Sequence, residues 1–173
     1  MKISRVMAVV LGSVLLQVAL ARYAVGGRFA FDFVLVGVVF AALQSGAVAG
    51  MLAGTVGGLL LDILSGGVVG LGALVKTLVG YGAGVLGTQF FVAKAHARAL
   101  IVAAATLVHG LMAAVLQGVI AQAWPSVTWT AMLEAIVINA AAGWLAFQLT
   151  ESVPGAVARG RSRRRSSWSR RQW

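Results

Sequence analysis

The chain contains no cysteine. Disulfides, thiolate catalysis and cysteine metal sites are therefore excluded. Charge is scarce as well. Only 10% of the 173 residues are charged, where a soluble domain carries about 25%. Asp and Glu together number four, and histidines two. No Ser-His-Asp order is present, no H-E-x-x-H, and no phosphate-cradling glycine loop after a strand. Gly54-Thr55-Val56-Gly57-Gly58 sits inside an apolar run, where it reflects the abundance of glycine and not a nucleotide motif.

What is present is apolar. Hydrophobic residues make up 60% of the chain, and the mean hydropathy is +0.94. Six apolar segments follow one another: about Val6–Ala21, Phe29–Leu43, Ala47–Leu64, Leu71–Val92, Ala99–Gln122 and Trp129–Leu149. A helix of about 20 residues crosses a hydrocarbon layer of about 30 Å. Lipid offers the backbone no hydrogen-bond partners, so such segments are expected to be helices. They lack the polar–apolar alternation of barrel strands. The fold class expected is an all-α membrane protein with six transmembrane helices over residues 1–150, followed by a basic disordered cytoplasmic tail over 151–173. The second segment is the shortest and has Asp32 near its start. Short connections make successive helices antiparallel neighbours and leave no room for a substantial extramembrane domain.

Basic residues set the orientation. With both ends cytoplasmic, that side holds eleven: Lys2, Arg5, Lys94, Arg98, Arg159, Arg161, Arg163, Arg164, Arg165, Arg170 and Arg171. The outer side holds two, Arg22 and Arg28. Lys2 and Arg5 followed by an apolar run and Ala19-Leu20-Ala21 also fit a signal peptide. Gln17 and the spans that follow favour a retained helix. Tyr23, Trp124 and Trp129 fall at outer span ends and suit interfacial anchoring; Trp144 suits packing. In the tail, Arg161, Arg163, Arg164, Arg165, Arg170 and Arg171 are expected to meet anionic lipid, with Trp168 and Trp173 at headgroup level. An acidic protein surface is the alternative partner, and no nucleic-acid role is assigned.

Two charges lie within the apolar runs, Asp62 and Lys76. Each needs a partner, a cavity or an interface. Across an antiparallel hairpin of the third and fourth helices both sit about 9–12 Å from the turn at 1.5 Å per residue, so the expectation is an intramembrane pair. A proton relay and snorkelling are the alternatives. Glycines recur at intervals of four: Gly50, Gly54 and Gly58, then Gly80 and Gly84, with Ala83 and Gly87 repeating the spacing. Such spacing makes a groove for a second backbone, either another helix of this chain or a partner's span. His109 reads as an interhelical hydrogen-bonder, since no second ligand stands at metal spacing. Gln117, Glu134, Asn139 and Gln148 are the other polar groups in the last two spans. No cofactor is expected.

The run Leu43-Gln44-Ser45-Gly46-Ala47-Val48-Ala49-Gly50-Met51-Leu52-Ala53-Gly54, then Gly57-Gly58-Leu59-Leu60-Leu61-Asp62-Ile63-Leu64-Ser65-Gly66, then Leu71-Gly72-Ala73-Leu74 and Thr77-Leu78-Val79-Gly80-Tyr81-Gly82-Ala83-Gly84, resembles the rod shape-determining protein MreD family. Size and the six-span layout resemble it too. Lys76 within the fourth span and Gln44-Ser45 in the second loop depart from its pattern. The resemblance implies a fold similar to the substrate-binding subunits of energy-coupling-factor transporters. It also implies a non-catalytic scaffold of the bacterial cell-elongation complex, working with an MreC-like single-span protein, a peptidoglycan glycosyltransferase and transpeptidase, and MreB filaments. A vitamin-type substrate-binding transporter subunit is the main rival reading, and a small membrane enzyme or channel the other.

Overall fold

The computed structural model describes residues 3–21, 31–89, 95–123 and 128–169, with side chains as far as residue 150 except at position 95. Among these residues every regular element is helical: α1 Ile3–Ala21, α2 Phe33–Ser45, α3 Ala47–Ser65, α4 Leu71–Gln89, α5 Ala95–Ala121 and α6 Trp129–Ser169. Five of the six contain windows long and apolar enough to cross a membrane.

The exception, α2, organises the rest. Its 13 residues reach only about 20 Å at 1.5 Å per residue, short of a bilayer's hydrocarbon depth of about 30 Å. Every residue from Val34 to Ala42 is buried. The helix packs on α1, α3, α4, α5 and α6. A helix enclosed on all sides shows no amphipathic stripe, which is why its sequence is uniformly apolar. One face meets Val75, Val79, Val102 and Phe147, and the Phe40 and Phe147 rings lie 5.0 Å apart. The other face meets Val10, Val14 and Ala53.

The α3–α4 hairpin is the tightest unit. Its turn needs left-handed backbone at Gly66 (φ 67°) and Gly70 (φ 97°), a region open to glycine without steric cost. Beyond the turn the glycines set the approach of the two helices. A Cβ on Gly50 would meet the Gly80 backbone, one on Gly54 the Lys76 and Thr77 backbone, one on Gly58 that of Ala73, and one on Gly84 that of Ala47. All would fall closer than real Cβ atoms come to other atoms. The groove formed by Gly50, Gly54, Gly58, Gly80 and Gly84 is thus filled by the chain's own hairpin. Gly87 meets Leu43 of α2 instead. Thr55 and Thr77 share a hydrogen bond of 2.8 Å across the seam.

α5 and α6 form a second hairpin. The sequence suggested that the last helix stops at Pro154-Gly155, with a disordered tail beyond. In the structure α6 continues through both residues to Ser169. A proline inside a helix removes one backbone donor, at the cost of one hydrogen bond, and kinks or breaks the helix; here the helix runs on past it. Large apolar side chains such as Leu15, Leu52, Ile63, Leu107, Val119, Val137 and Leu145 face outward. A soluble protein does not expose so much apolar surface; here it is the surface that lipid covers. Lys2, Arg22, Tyr23, Arg28, Lys94, Trp124, Arg170, Arg171 and Trp173 lie outside the described residues, as do the side chains of Arg159, Arg161, Arg163, Arg164, Arg165 and Trp168.

Candidate functional site

The polar groups of the bundle converge at the N-terminal end of α2. Asp32 is the N-cap of that helix, and its Oδ1 accepts from the Leu35 N–H at 2.8 Å. An aspartate there satisfies one of the backbone donors that a helix start leaves unpaired. Its other oxygen, Oδ2, receives Lys76 Nζ of α4 at 2.9 Å. Lys76 is only 4% exposed, so the ammonium is stable only because this carboxylate neutralises it.

His109 of α5 completes the cluster. Its Nε2 lies 3.2 Å from Lys76 Nζ and 3.9 Å from Asp32 Oδ2. An ammonium has no lone pair to offer, so it donates and Nε2 accepts; the imidazole's own proton then sits on Nδ1. α6 joins through Asn139, which is 1% exposed. Asn139 Oδ1 accepts from the Asp32 N–H at 3.0 Å, and its amide donates to Thr106 Oγ1 at 3.4 Å. α1 joins through Gln17, which donates to the Phe31 carbonyl at 3.0 Å and accepts from the Phe33 N–H at 2.8 Å. One polar knot therefore links α1, α2, α4, α5 and α6.

The expected pairing of Asp62 with Lys76 gives way to a different arrangement. Asp62 Oδ2 accepts from the backbone N–H groups of Gly70 at 2.9 Å and Ala73 at 3.1 Å. It caps α4 from the last turn of α3. The physical reason is local: the first turn of α4 presents unpaired donors and the positive end of its dipole beside the α3 terminus. Lys76 sits a full turn further along α4, where Asp32 lies closer to hand. The hairpin geometry placed both charges at one depth without showing which way either side chain turned.

Sequence reasoning missed Asp32, Gln17 and Thr106 as members of the cluster. The available signal was Asp32 immediately before an apolar helix, the usual setting of an N-cap. Gln117 and Glu134 are exposed and stand outside the knot. Among the described residues no group of three His, Asp or Glu side chains stands close enough to hold a metal ion. Next to the knot a cavity of about 500 Å³ lies between the α3–α4 turn and α5. Asp62, Lys76, His109 and Gln117 line it, with Val68, Leu71 and Ile120 among its apolar neighbours. Chemically the arrangement ties helices together and offers polar groups of both signs to a shallow chamber.

The model of one family, described as rod shape-determining protein MreD, matches residues 3–150. No curated protein and no solved structure matches the chain.

Proposed function

We infer the role of this chain from its kinship: it belongs to the rod shape-determining protein MreD family, and it is a multi-pass membrane protein. Its role is that of a non-catalytic integral scaffold of the bacterial cell-elongation complex. It lies in the cytoplasmic membrane with both termini on the cytoplasmic side. There it couples an MreC-like single-span protein and a peptidoglycan glycosyltransferase and transpeptidase to MreB filaments.

The family match carries this reading, and three physical features support it. Eleven basic residues against two favour cytoplasmic termini. The turns at Gly46 and at residues 66–70 are too short to build an extramembrane active site. The described part of α1 packs on α2 and α3 alone, leaving Met7, Leu11, Leu15 and Val18 exposed at intervals of four, four and three. That face is open in the bundle, to lipid or to a partner's span.

The test is affinity purification of the tagged full chain from membranes in mild detergent. A single-span protein and wall-synthesis enzymes are expected in the eluate. Recovery of ATPases and a stoichiometric water-soluble nutrient, without any wall-synthesis component, overturns the scaffold reading in favour of a transport subunit.

A further inference from the structure

A second cavity continues the α4–α5 boundary below the polar chamber. It holds about 180 Å³ and is lined by apolar residues that include Leu78, Gly82, Leu86, Ile101, Val108 and Met112. On α4 the two linings join as Gly72, Lys76, Val79, Ala83 and Leu86, at steps of three and four. On α5, Ile101, Ala105, His109 and Met112 do the same. Residues at that spacing share one helix face. The two cavities therefore lie in line along both helices, with the Lys76–His109 contact at their junction. The lining is polar at Lys76 and apolar from Leu78 to Leu86 on α4, while on α5 the two linings interleave at His109 and Met112. Leu78 to Leu86 covers about 12 Å at 1.5 Å per residue, close to the roughly 15 Å depth of one leaflet.

We propose that this cleft binds one phospholipid with a zwitterionic amino headgroup. The phosphate sits against Lys76, His109 and Gln117, the ammonium against Asp62, and an acyl chain lies along the apolar groove. The donors and acceptors are in place. An ammonium carries three N–H groups; Asp32 and His109 engage two of those on Lys76, and the third is left for the chamber. The His109 tautomer fixed by Lys76 leaves Nδ1–H as a donor. Asp62 uses Oδ2 for both of its backbone bonds, so Oδ1 remains an acceptor for a cation. A transmembrane helix would lay apolar side chains against this charged cluster. A soluble metabolite would leave the apolar groove unfilled. A lipid is polar at one end and apolar along the rest, in the same order as the two cavities.

The test uses the full chain purified from vesicles of equal parts phosphatidylethanolamine and phosphatidylglycerol, with bound lipid read by native mass spectrometry. Gly82→Phe directs a ring into the groove from a position where an added Cβ meets no atom within 4 Å. Gln117→Leu removes one headgroup contact at an exposed position. The wild type is expected to keep a single phosphatidylethanolamine. The phenyl ring takes the place of the acyl chain in the groove, so Gly82→Phe loses the adduct. Gln117→Leu lowers the preference for phosphatidylethanolamine over phosphatidylglycerol. A wild type without an adduct, or one that holds both lipids alike, overturns the proposal. So does equal retention by Gly82→Phe when its thermal unfolding matches the wild type. If Gly82→Phe does not fold, Gln117→Leu decides: an unchanged headgroup preference overturns the proposal.

Discussion

Exchanging Asp32 for asparagine and Lys76 for methionine, singly and together, tests the polar knot directly. Asparagine keeps an oxygen for the Leu35 N–H, so Asp32→Asn removes charge while leaving the helix cap. It strands an ammonium whose side chain is 5% exposed. Methionine has nearly the length of lysine, so Lys76→Met removes charge with little loss of packing, and strands a carboxylate that is 20% exposed. Removing one partner of a buried pair costs about 3–5 kcal/mol, whereas replacing both is often close to neutral. Asp32→Asn is expected at the upper end of that range because its orphan is the more buried. The double variant should recover most of the loss, leaving it far less destabilised than the roughly 6–10 kcal/mol that the two single costs would sum to at independent sites. Unfolding by denaturing detergent in mixed micelles, followed by circular dichroism, measures all four species. A parallel cycle with Asp62→Asn and Lys76→Met should come out near additive. Strong coupling in that second cycle and additivity in the first would refute the assignment of Lys76 to Asp32.

Two further perturbations address other parts of the bundle. Gly54→Val drives a branched side chain into the backbone of Lys76 and Thr77; overpacking costs about 1–3 kcal/mol where side chains can yield, and backbone yields less, so the yield of folded protein from membranes should drop sharply while Gly82→Ala leaves it unchanged. Asn139→Leu leaves the Asp32 N–H without its acceptor, a loss of about 1–3 kcal/mol, and should lower the thermal midpoint with a near-isosteric side chain in place.

The membrane class and the order of helices were legible in the sequence because they depend on run length and composition, which need no partner. The α3–α4 hairpin was legible in outline from the glycine spacing and the short turn. Its register was not: spacing identifies a groove on one helix without saying which backbone fills it. The place of α2 was hidden for a related reason. A helix enclosed by protein and a helix bathed in lipid are equally apolar, so nothing in Val34–Ala42 distinguishes the centre of the bundle from its rim. The true partner of Lys76 was hidden because an ion pair forms between side-chain directions. Asp32 lies in a different hairpin from Lys76, and only the packing of α4 across α2 brings them together.

The seam between α3 and α4 has a mechanical consequence. Backbone rests on backbone at Gly50, Gly54, Gly58 and Gly84, so the two helices translate and tilt as one beam. The boundary between α4 and α5 is narrower, hollow in two places, and bridged by the contact between Lys76 and His109. There α5 and α6 are held to the beam by that contact, and they are held to α2 by Asn139 and Phe147.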